Sequence, residues 1–584
     1  MTIQIDLTRD RLFTPLGFAR LKDGYMLSHE QSPQERYKFV AEKFGSNNAH
    51  AQRIYNYVSK HWASLSTPLL NFGRVSGALP ISCYLPYLPD TKEGLVDTST
   101  ECRHLAMAGG GIGLGIGLRS GDEKSAGVLP HLRTYDADVL AYKQARRRGS
   151  LAAYLDVGHP DILPFLDMRI PTGGDPNFKC LNLHQGINIP DEFMQIIERC
   201  TKDPAARDDW PLIDPHSQEV IQVVSAKELW IRILETRMKT GEPYLHFIDA
   251  SNRALPSWLS ARGMRVQQSN LCSEITLPTD SDHTAVCCLS SFNLEYWDDW
   301  KDDELFVADM VEFLDNVLEY FVDNAPAYLS RAITSAKNSR DIGLGALGFH
   351  ALLQSKGIPF ESAIAVSLNK RIFKHVFDRG MAANRELAHR RGEAPYAAGH
   401  GVRFSHLFAV APNASSSIIV GNTSPSIEPY RANAYRQDTL SGSMLTKNKF
   451  LERLLTEKNQ NTEEVWSSIL AHKGSVQHLD FLSDWEKDIY KTAFEIDQRW
   501  VIQHAADRQE YIDQAQSVNV FLPPDAHVTY LHQVHLDAWK KGLKTLYYCR
   551  SEKASQVDSV GKKSERIVIK HNKQQTEEGC LACE

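Results

Sequence analysis

Three side chains that could do chemistry stand close together at Asn270, Cys272 and Glu274. An amide can hold a hydroxyl by hydrogen bonds, a sulfur can do redox or radical work, and a carboxylate can accept a proton. In an extended segment, side chains at i, i+2 and i+4 lie on one face, so one substrate could meet all three. The alternative interpretation is a strand end with a small, buried cysteine, because isolated short motifs seldom decide function.

The other cysteines add redox candidates. Ten cysteines in 584 residues are too few for a disulfide scaffold. Cys83 lies in a short apolar run, and Cys287 and Cys288 are adjacent in another. Cys580 and Cys583 form a terminal C-x-x-C motif. Because the sequence offers no second pair at zinc-site spacing, this motif favours a mobile dithiol over half of a zinc site.

The composition is that of an ordinary globular protein. It is 42% hydrophobic and 23% charged, with a net charge of −7. This balance does not favour nucleic acid or an anionic membrane as a partner. The first residues contain no apolar signal segment, and no apolar run approaches the roughly 20 residues of a membrane span. We therefore expect a cytoplasmic protein.

The elements that must position these residues alternate between helix and strand patterns. Helical periodicity covers 33–62, 305–321, 364–390 and 485–515. Short apolar runs typical of strands surround Cys83 and lie at 245–248, 285–289 and 543–550. Strands that alternate with helices favour an α/β fold.

Two glycine- or serine-rich stretches allow two interpretations each. The glycine-rich run 109–117 either cradles a phosphate with backbone N–H groups or lets backbones pack closely. The turn at 412–417 carries three consecutive serines that could bind an anion, although serine-rich turns are more often only turns. The basic stretch 146–150 is usually a solvated loop.

Eight motifs, in this order along the chain, resemble the large (catalytic) subunit of class I ribonucleotide reductases. They are S-T-P-L-L-N at 66–71, S-C at 82–83, N-L-C-S-E-I at 270–275, C-C-L-S-S-F-N-L at 287–294, P-N-A-S-S-S at 412–417, I-E-P-Y at 427–430, T-L-Y-Y at 545–548 and the terminal C-x-x-C. The similarity extends from about residue 35 to residue 584.

The resemblance implies a fold. We expect a ten-stranded α/β barrel of two parallel five-stranded halves, with Cys272 at the tip of a central finger loop. An N-terminal helical region would cover 1–75, the catalytic barrel 76–550 and a flexible redox tail 551–584. The N-terminal ATP-binding cone of many relatives is missing, so we predict no on/off switch of that type.

The resemblance also assigns chemistry to the central residues. Cys272 would carry a thiyl radical that takes the 3′-hydrogen of a ribonucleotide, expected to be a diphosphate. Glu274 would act as base toward the 3′-hydroxyl, and Asn270 would hold the sugar hydroxyls. Cys83 and Cys287 would supply two reducing equivalents and become a disulfide, with Cys83 protonating the departing 2′-hydroxyl. The family register selects Cys287 as the partner of Cys83 and leaves Cys288 for packing.

Partners follow from the same resemblance. Tyr548 and then Tyr547 would pass an oxidising equivalent to Cys272 from a radical-generating small subunit that holds the metal-radical cofactor. This chain itself would bind no cofactor. Cys580 and Cys583 would re-reduce the buried disulfide, and thioredoxin or glutaredoxin would recharge them. A homodimer is a further expectation.

Nucleotide-binding residues are assigned in two groups. The substrate group comprises Thr67, Ser82, Asn413, Ala414, Ser415 and Ser416 around the phosphates, with Arg148 near the base. The effector group comprises Asp90 and Arg119, which would contact a deoxynucleoside triphosphate or ATP.

Several alternatives stay open. An adenosylcobalamin-dependent class II reductase shares the three central cysteines but does not need the tyrosine pair. A non-catalytic nucleotide-binding dithiol protein would carry inert cysteines. A carboxylate-bridged dimetal protein would use the E-x-x-H pairs Glu101/His104 and Glu386/His389, although a glycine-rich run after the first pair is a poor setting for a four-helix metal site.

Overall fold

Residues 3–144, 147–439, 442–523 and 526–551 are described by the structure, a computed structural model. The described chain starts with a helical region. Thr14, Ser32 and Asn47 cap its main helices by accepting backbone N–H groups. These helices are Pro15–Gly24, Pro33–Phe44 and Asn48–Ser59, followed by the short Thr67–Leu70. The helical pattern predicted over 33–62 corresponds to two helices, with a break around Gly45.

The first half of the barrel is a parallel five-stranded sheet. Its strands pair side by side in chain order. They are Cys83–Leu85, Gly111–Gly117, Ser150–Asp156, His184–Ile189 and Tyr244–Phe247. Helices such as Lys92–Ala108 and Val128–Ala141 connect them, as parallel neighbours require.

The second half repeats this arrangement. Strand Ala285–Asn293 pairs in parallel with Ile342–Leu347. The extended segments 406–410 and 515–518 continue the order through parallel bridges at Leu344↔Phe408 and Val410↔Gln516. The Tyr547 N–H then donates to the Val518 carbonyl, which brings strand Thr545–Leu546 alongside.

Antiparallel contacts join the two halves into a closed ring. Strand Ala285–Asn293 pairs with Cys83–Leu85, and Thr545–Leu546 pairs with Tyr244–Phe247. Eight strands and the two extended segments thus form the ten-stranded wall of the barrel. Two further strands, Ala63–Leu65 and Tyr87–Pro89, pair with it at its margins. The predicted ten-stranded α/β barrel with an N-terminal helical region is confirmed.

Helices cover the outside of the ring because the strands are apolar on both faces. All nine residues of Ala285–Asn293 are buried, and helix Phe306–Asn324 packs its apolar stripe against them. The remaining longer helices are Asp191–Lys202, Ala226–Thr240, Ser330–Asn338, Ala363–Arg391, Lys449–Glu457, Glu463–Ala471, Gln498–Gln509 and Val528–Lys540. The shorter ones are Ile162–Asp167, Ile248–Arg253, Ser257–Ser260, Trp297–Trp300, Phe349–Ser355, Ala414–Ile419 and Asp484–Ile489.

In the described part of the chain, four two-stranded ribbons lie outside the ring. They are Asp209–Ile213 with Val220–Ser225, Ala434–Thr439 with Gly442–Lys447, Val520–Leu522 with Cys549–Ser551, and Lys143–Gln144 with Arg147–Arg148. Among the described residues, no helix combines the length and apolar character needed to cross a membrane.

Candidate active site

A loop that is buried over residues 268–279 crosses the interior of the barrel. The Tyr154 hydroxyl donates to the Asn270 carbonyl at 2.7 Å from the first half. The Ser517 hydroxyl donates to the Cys272 carbonyl from the second half. Since both halves hold it, the loop is fixed at the centre, as the predicted finger loop requires.

The glycine-rich run lines the path of this loop. It forms strand Gly111–Gly117, and a Cβ built on Gly113 would lie 2.2 Å from the Ser269 carbonyl oxygen. Only a residue without a side chain permits that approach. Of the two interpretations of this run, close backbone packing is therefore correct.

The Asn270–Glu274 stretch forms a turn rather than an extended segment. Ser273 has a φ of 67°, and its N–H donates to the Asn270 carbonyl at 3.3 Å. The Ile275 N–H donates to Asn270 Oδ1 at 3.1 Å, which closes the turn. A left-handed residue reverses the chain here, so the three side chains converge through a turn instead of alternation along a strand.

These side chains meet Cys83 in the barrel interior. Asn270 Nδ2 lies 3.2 Å from Cys83 Sγ, and Cys83 Sγ lies 4.0 Å from Glu274 Oε1. The Ser517 hydroxyl donates to Glu274 Oε2 at 3.2 Å. Cys83, Cys272 and Glu274 are fully buried. A sulfur, a carboxylate and an amide therefore share one enclosed space.

Cys83 and Cys287 are directly opposed across the antiparallel junction of the two halves. Opposed residues have Cα atoms about 4.5–5.5 Å apart, which lies within the range that a disulfide spans. Burial, and then the neighbouring Cys288, raises the pKa of the Cys287 thiol well above its usual value. Cys287 is therefore a neutral thiol near neutral pH.

Cys288 lies on the other face of the same strand. Its Sγ approaches the Leu314 carbonyl oxygen at 3.6 Å, in the helix that covers the barrel from outside. Because successive strand residues point to opposite faces, Cys288 cannot share the interior with Cys287.

The two tyrosines lead away from Cys272. The Tyr547 hydroxyl lies 3.5 Å from Cys272 Sγ, and the ring centroids of Tyr547 and Tyr548 are 4.4 Å apart. Tyr548 is half-buried, with the Arg550 guanidinium 3.9 Å above its ring. The predicted strand over 543–550 is interrupted at the tyrosines, which lie between Thr545–Leu546 and Cys549–Ser551.

Sequence reasoning missed three residues of this site. Tyr244 is fully buried and packs 4.7 Å from the Tyr547 ring and 5.1 Å from the Tyr548 ring. Burial, and then Glu242, raises the pKa of Tyr244 well above its usual value. Tyr154 and Ser517 hold the central loop. Each is a single residue of an apolar run or a loop, so no local pattern marks it; only the fold does.

One predicted phosphate-binding residue, Asn413, contacts the strand that carries Cys287. Asn413 Nδ2 donates to the Ser291 hydroxyl at 3.2 Å. Ser291 is four residues beyond Cys287, on the same face and roughly 13 Å away. Asn413 has a φ of 54° and starts helix Ala414–Ile419, in which Ser415 and Ser416 are buried.

Thr67 and Ser82 complete the predicted substrate group. Both are buried, and Ser82 directly precedes the strand of Cys83. The side chain of Arg148 is outside the described part of the structure, as are Cys580 and Cys583.

The predicted effector residues form an ion pair. Arg119 Nε lies 2.5 Å from Asp90 Oδ2, and His216 Nδ1 lies 3.6 Å from the same oxygen. Asp90 follows strand Tyr87–Pro89 at the margin of the barrel. Within the described ranges, no three His, Cys, Asp or Glu side chains come together as a metal site.

Comparison with known families covers both regions of the chain. A family model described as the ribonucleotide reductase all-alpha domain matches residues 11–77. A second, described as the ribonucleotide reductase barrel domain, matches residues 81–399 and 396–549.

Individual relatives agree with the family models. The chain is 50% identical to the ribonucleoside-diphosphate reductase large subunit of Invertebrate iridescent virus 3, over the whole of both chains. It is 30% identical to that of Caenorhabditis elegans, covering 98% of this chain and 82% of the relative. Among solved structures, the Actinobacillus ureae class Id ribonucleotide reductase alpha subunit matches with a TM-score of 0.83 and 35% identity, over 95% of this chain and 99% of that chain.

Proposed function

This chain belongs to the family of ribonucleotide reductase large subunits, and from that premise we propose that it reduces ribonucleoside diphosphates to 2′-deoxyribonucleotides by thiyl-radical chemistry. The observation that supports the radical mechanism is the contact between the Tyr547 hydroxyl and Cys272 Sγ, 3.5 Å apart inside the barrel. A tyrosine hydrogen-bonded to a buried thiol offers a route for an electron and a proton to leave that thiol together.

Oxidation would enter through Tyr548. A one-electron oxidising equivalent from a small subunit passes to Tyr548, then to Tyr547, whose ring lies 4.4 Å away, and then to Cys272. At each transfer the group that is oxidised loses an electron and a proton. Cys272 ends as a thiyl radical beside the substrate.

Reduction of the sugar would use the remaining groups. The Cys272 radical takes the 3′-hydrogen, and Glu274 accepts the proton of the 3′-hydroxyl. Cys83 gives its proton to the 2′-hydroxyl, which leaves as water. Cys83 and Cys287 together supply two electrons and become a disulfide, and the hydrogen of the second thiol goes to the 2′-carbon. Glu274 then returns its proton to the 3′-oxygen, and Cys272 returns a hydrogen atom to the 3′-carbon. The balance is one ribonucleotide and two thiols converted to one deoxynucleotide, one water and one disulfide.

Turnover then needs an external reductant. We assign this step to Cys580 and Cys583, which would exchange with the buried disulfide and be reduced in turn by thioredoxin or glutaredoxin. A terminal C-x-x-C in a reducing compartment suits that role.

The test is a reductase assay on ribonucleoside diphosphates and triphosphates with candidate small subunits supplied. Wild type should form deoxynucleotide, and Cys272→Ser should form none while its equilibrium binding of nucleotide stays unchanged. Retained turnover in Cys272→Ser would reject the thiyl assignment. Turnover that requires adenosylcobalamin and no small subunit would favour the class II alternative.

A further inference from the structure

The N-terminal helix Pro15–Gly24 packs directly on the predicted phosphate-binding helix Ala414–Ile419. The approach is close enough that a Cβ on Gly17 would lie 2.6 Å from the Ile418 carbonyl oxygen. Thr14 caps the N-terminal helix by accepting the Gly17 N–H at 3.0 Å. The cap and the glycine together fix the helix at this distance.

Two polar contacts connect this helix region to residues of the predicted phosphate group. Arg20 Nη2 donates to the Ser415 hydroxyl at 2.9 Å. The Tyr25 hydroxyl lies 3.2 Å from Thr67 Oγ1. Ser415, Thr67 and Tyr25 are buried, and Arg20 is half-buried at the edge of the site. One N-terminal element therefore reaches two of the four hydroxyls that were assigned to the substrate phosphates, those of Ser415 and Thr67.

We propose that Arg20 is a substrate-binding residue, which pairs with the terminal phosphate of a nucleoside 5′-diphosphate, and that Tyr25 orients Thr67 toward the same group. This inference rests on the proposed function, because it takes Thr67 and Ser415 as phosphate ligands. It adds a cation to the predicted substrate-phosphate group.

The chemistry of the two side chains supports this role. A guanidinium presents five N–H donors in a planar fork that matches phosphate oxygens. The Ser415 hydroxyl accepts from Arg20, so the guanidinium lies beside a hydroxyl of the predicted phosphate group. Arginine and serine would then bind one phosphate jointly, through charge-assisted hydrogen bonds.

Binding of cytidine 5′-diphosphate and cytidine 5′-monophosphate to the full chain tests the proposal. Arg20→Gln should weaken diphosphate binding by about tenfold or more, the size expected for a lost hydrogen bond to a charged group. Monophosphate binding should change less than twofold, because the monophosphate lacks the group that Arg20 contacts. Arg20→Lys, which keeps the charge, should recover part of the loss.

Two further variants separate binding from folding. Lys22→Gln removes the same charge from an exposed position of the same helix and should leave both affinities unchanged. Gly17→Ala must displace the helix and should weaken diphosphate binding without removing the arginine. Unchanged diphosphate binding in Arg20→Gln, or equal losses for both nucleotides, would overturn the proposal.

Failure of the proposed function would look different. That outcome is an absence of deoxynucleotide formation by wild type with small subunits supplied. The binding experiment needs no turnover, so it judges Arg20 by itself.

Discussion

At the scale of single residues, the central thiols of the site are buried. Cys287 and its partner position Cys83 lie in an interior where charge is poorly solvated. A thiol that keeps its proton at neutral pH can deliver it to a leaving hydroxyl, whereas a thiolate could not. Burial therefore favours acid and hydrogen-atom chemistry over nucleophilic attack at this position.

Replacing the two adjacent cysteines one at a time should separate their roles. Cys287→Ser should abolish multiple turnovers, because no disulfide with Cys83 can form. Cys288→Ser should retain wild-type turnover, since its sulfur faces the covering helix. Assays of deoxynucleotide formation, with thermal unfolding as a control for folding, check both. Equal losses from the two substitutions would contradict the assignment.

The tyrosine pair allows a similarly local prediction. Tyr547→Phe keeps the ring but removes the hydroxyl that contacts Cys272. We expect turnover to fall by more than about a hundredfold, equivalent to about 2.7 kcal/mol. Tyr244→Phe is the matched control, because Tyr244 packs against both rings without contacting the sulfur through its hydroxyl. Turnover in Tyr244→Phe should remain within about threefold of wild type, by the same relation.

At the scale of elements, a strand without side chains makes room for the loop. Gly111–Gly117 contributes backbone hydrogen bonds to the sheet while Gly113 lets the loop backbone touch the strand. A strand normally loses stability from glycine. Here that loss is the condition for placing Cys272 at the centre of the barrel.

Gly113→Ala should therefore damage the site more than the fold. The new Cβ would meet the Ser269 carbonyl and Asn270 Cα, so the loop must shift. We expect the free energy of unfolding to fall by about 1–3 kcal/mol. We also expect most of the turnover to be lost. Gly24→Ala is the control, because nothing lies within 4 Å of its Cβ position. Denaturant unfolding and the reductase assay measure the two effects, and full activity in Gly113→Ala would count against this account of the loop.

At the scale of the whole molecule, one buried carboxylate fastens the second half of the barrel. Asp315 pairs with Arg340 at 2.6 Å, Arg391 at 2.7 Å and Arg403 at 3.0 Å. Asp315 belongs to the covering helix Phe306–Asn324, and Arg391 ends helix Ala363–Arg391. Arg340 and Arg403 lie just before strand Ile342–Leu347 and the extended segment 406–410. Elements distant in sequence are thereby tied at one point.

This cluster should make stability depend on pH in the acid range. Burial would raise the pKa of Asp315, but Arg340 and Arg403 outweigh it and hold the pKa below the usual value of 3.8. A lowered folded pKa contributes stability above the unfolded value of about 3.9, and that stability is lost as the pH falls through the folded value.

Unfolding measured from pH 7 to pH 2 checks this expectation. Asp315→Asn should lower the free energy of unfolding at pH 7 by about 1.5–3 kcal/mol, since each arginine loses one charged partner. Arg340 and Arg403 keep Glu319, and Arg391 keeps Glu312. The same substitution should also make the free energy of unfolding depend less on pH below pH 4. A variant as stable as wild type at pH 7 would show that the cluster does not fasten the barrel.

The sequence by itself determined the kind of fold and the identity of the central residues. Alternating helix and strand patterns and the order of eight motifs were enough to predict a ten-stranded α/β barrel, which is confirmed. Residue types fixed what Asn270, Cys272 and Glu274 could do, because side-chain chemistry does not depend on the fold.

Only the tertiary structure decided how those residues meet. The left-handed Ser273 closes the turn at the tip of the central loop. Cys83 and Cys287, 204 residues apart in sequence, become direct neighbours. Strand pairing and helix packing bring Tyr244, Tyr154 and Arg20 to the site, and no local sequence pattern places them there. Local sequence patterns show which surface of a helix or strand is apolar. Which other helix or strand covers that surface depends on how the whole barrel closes.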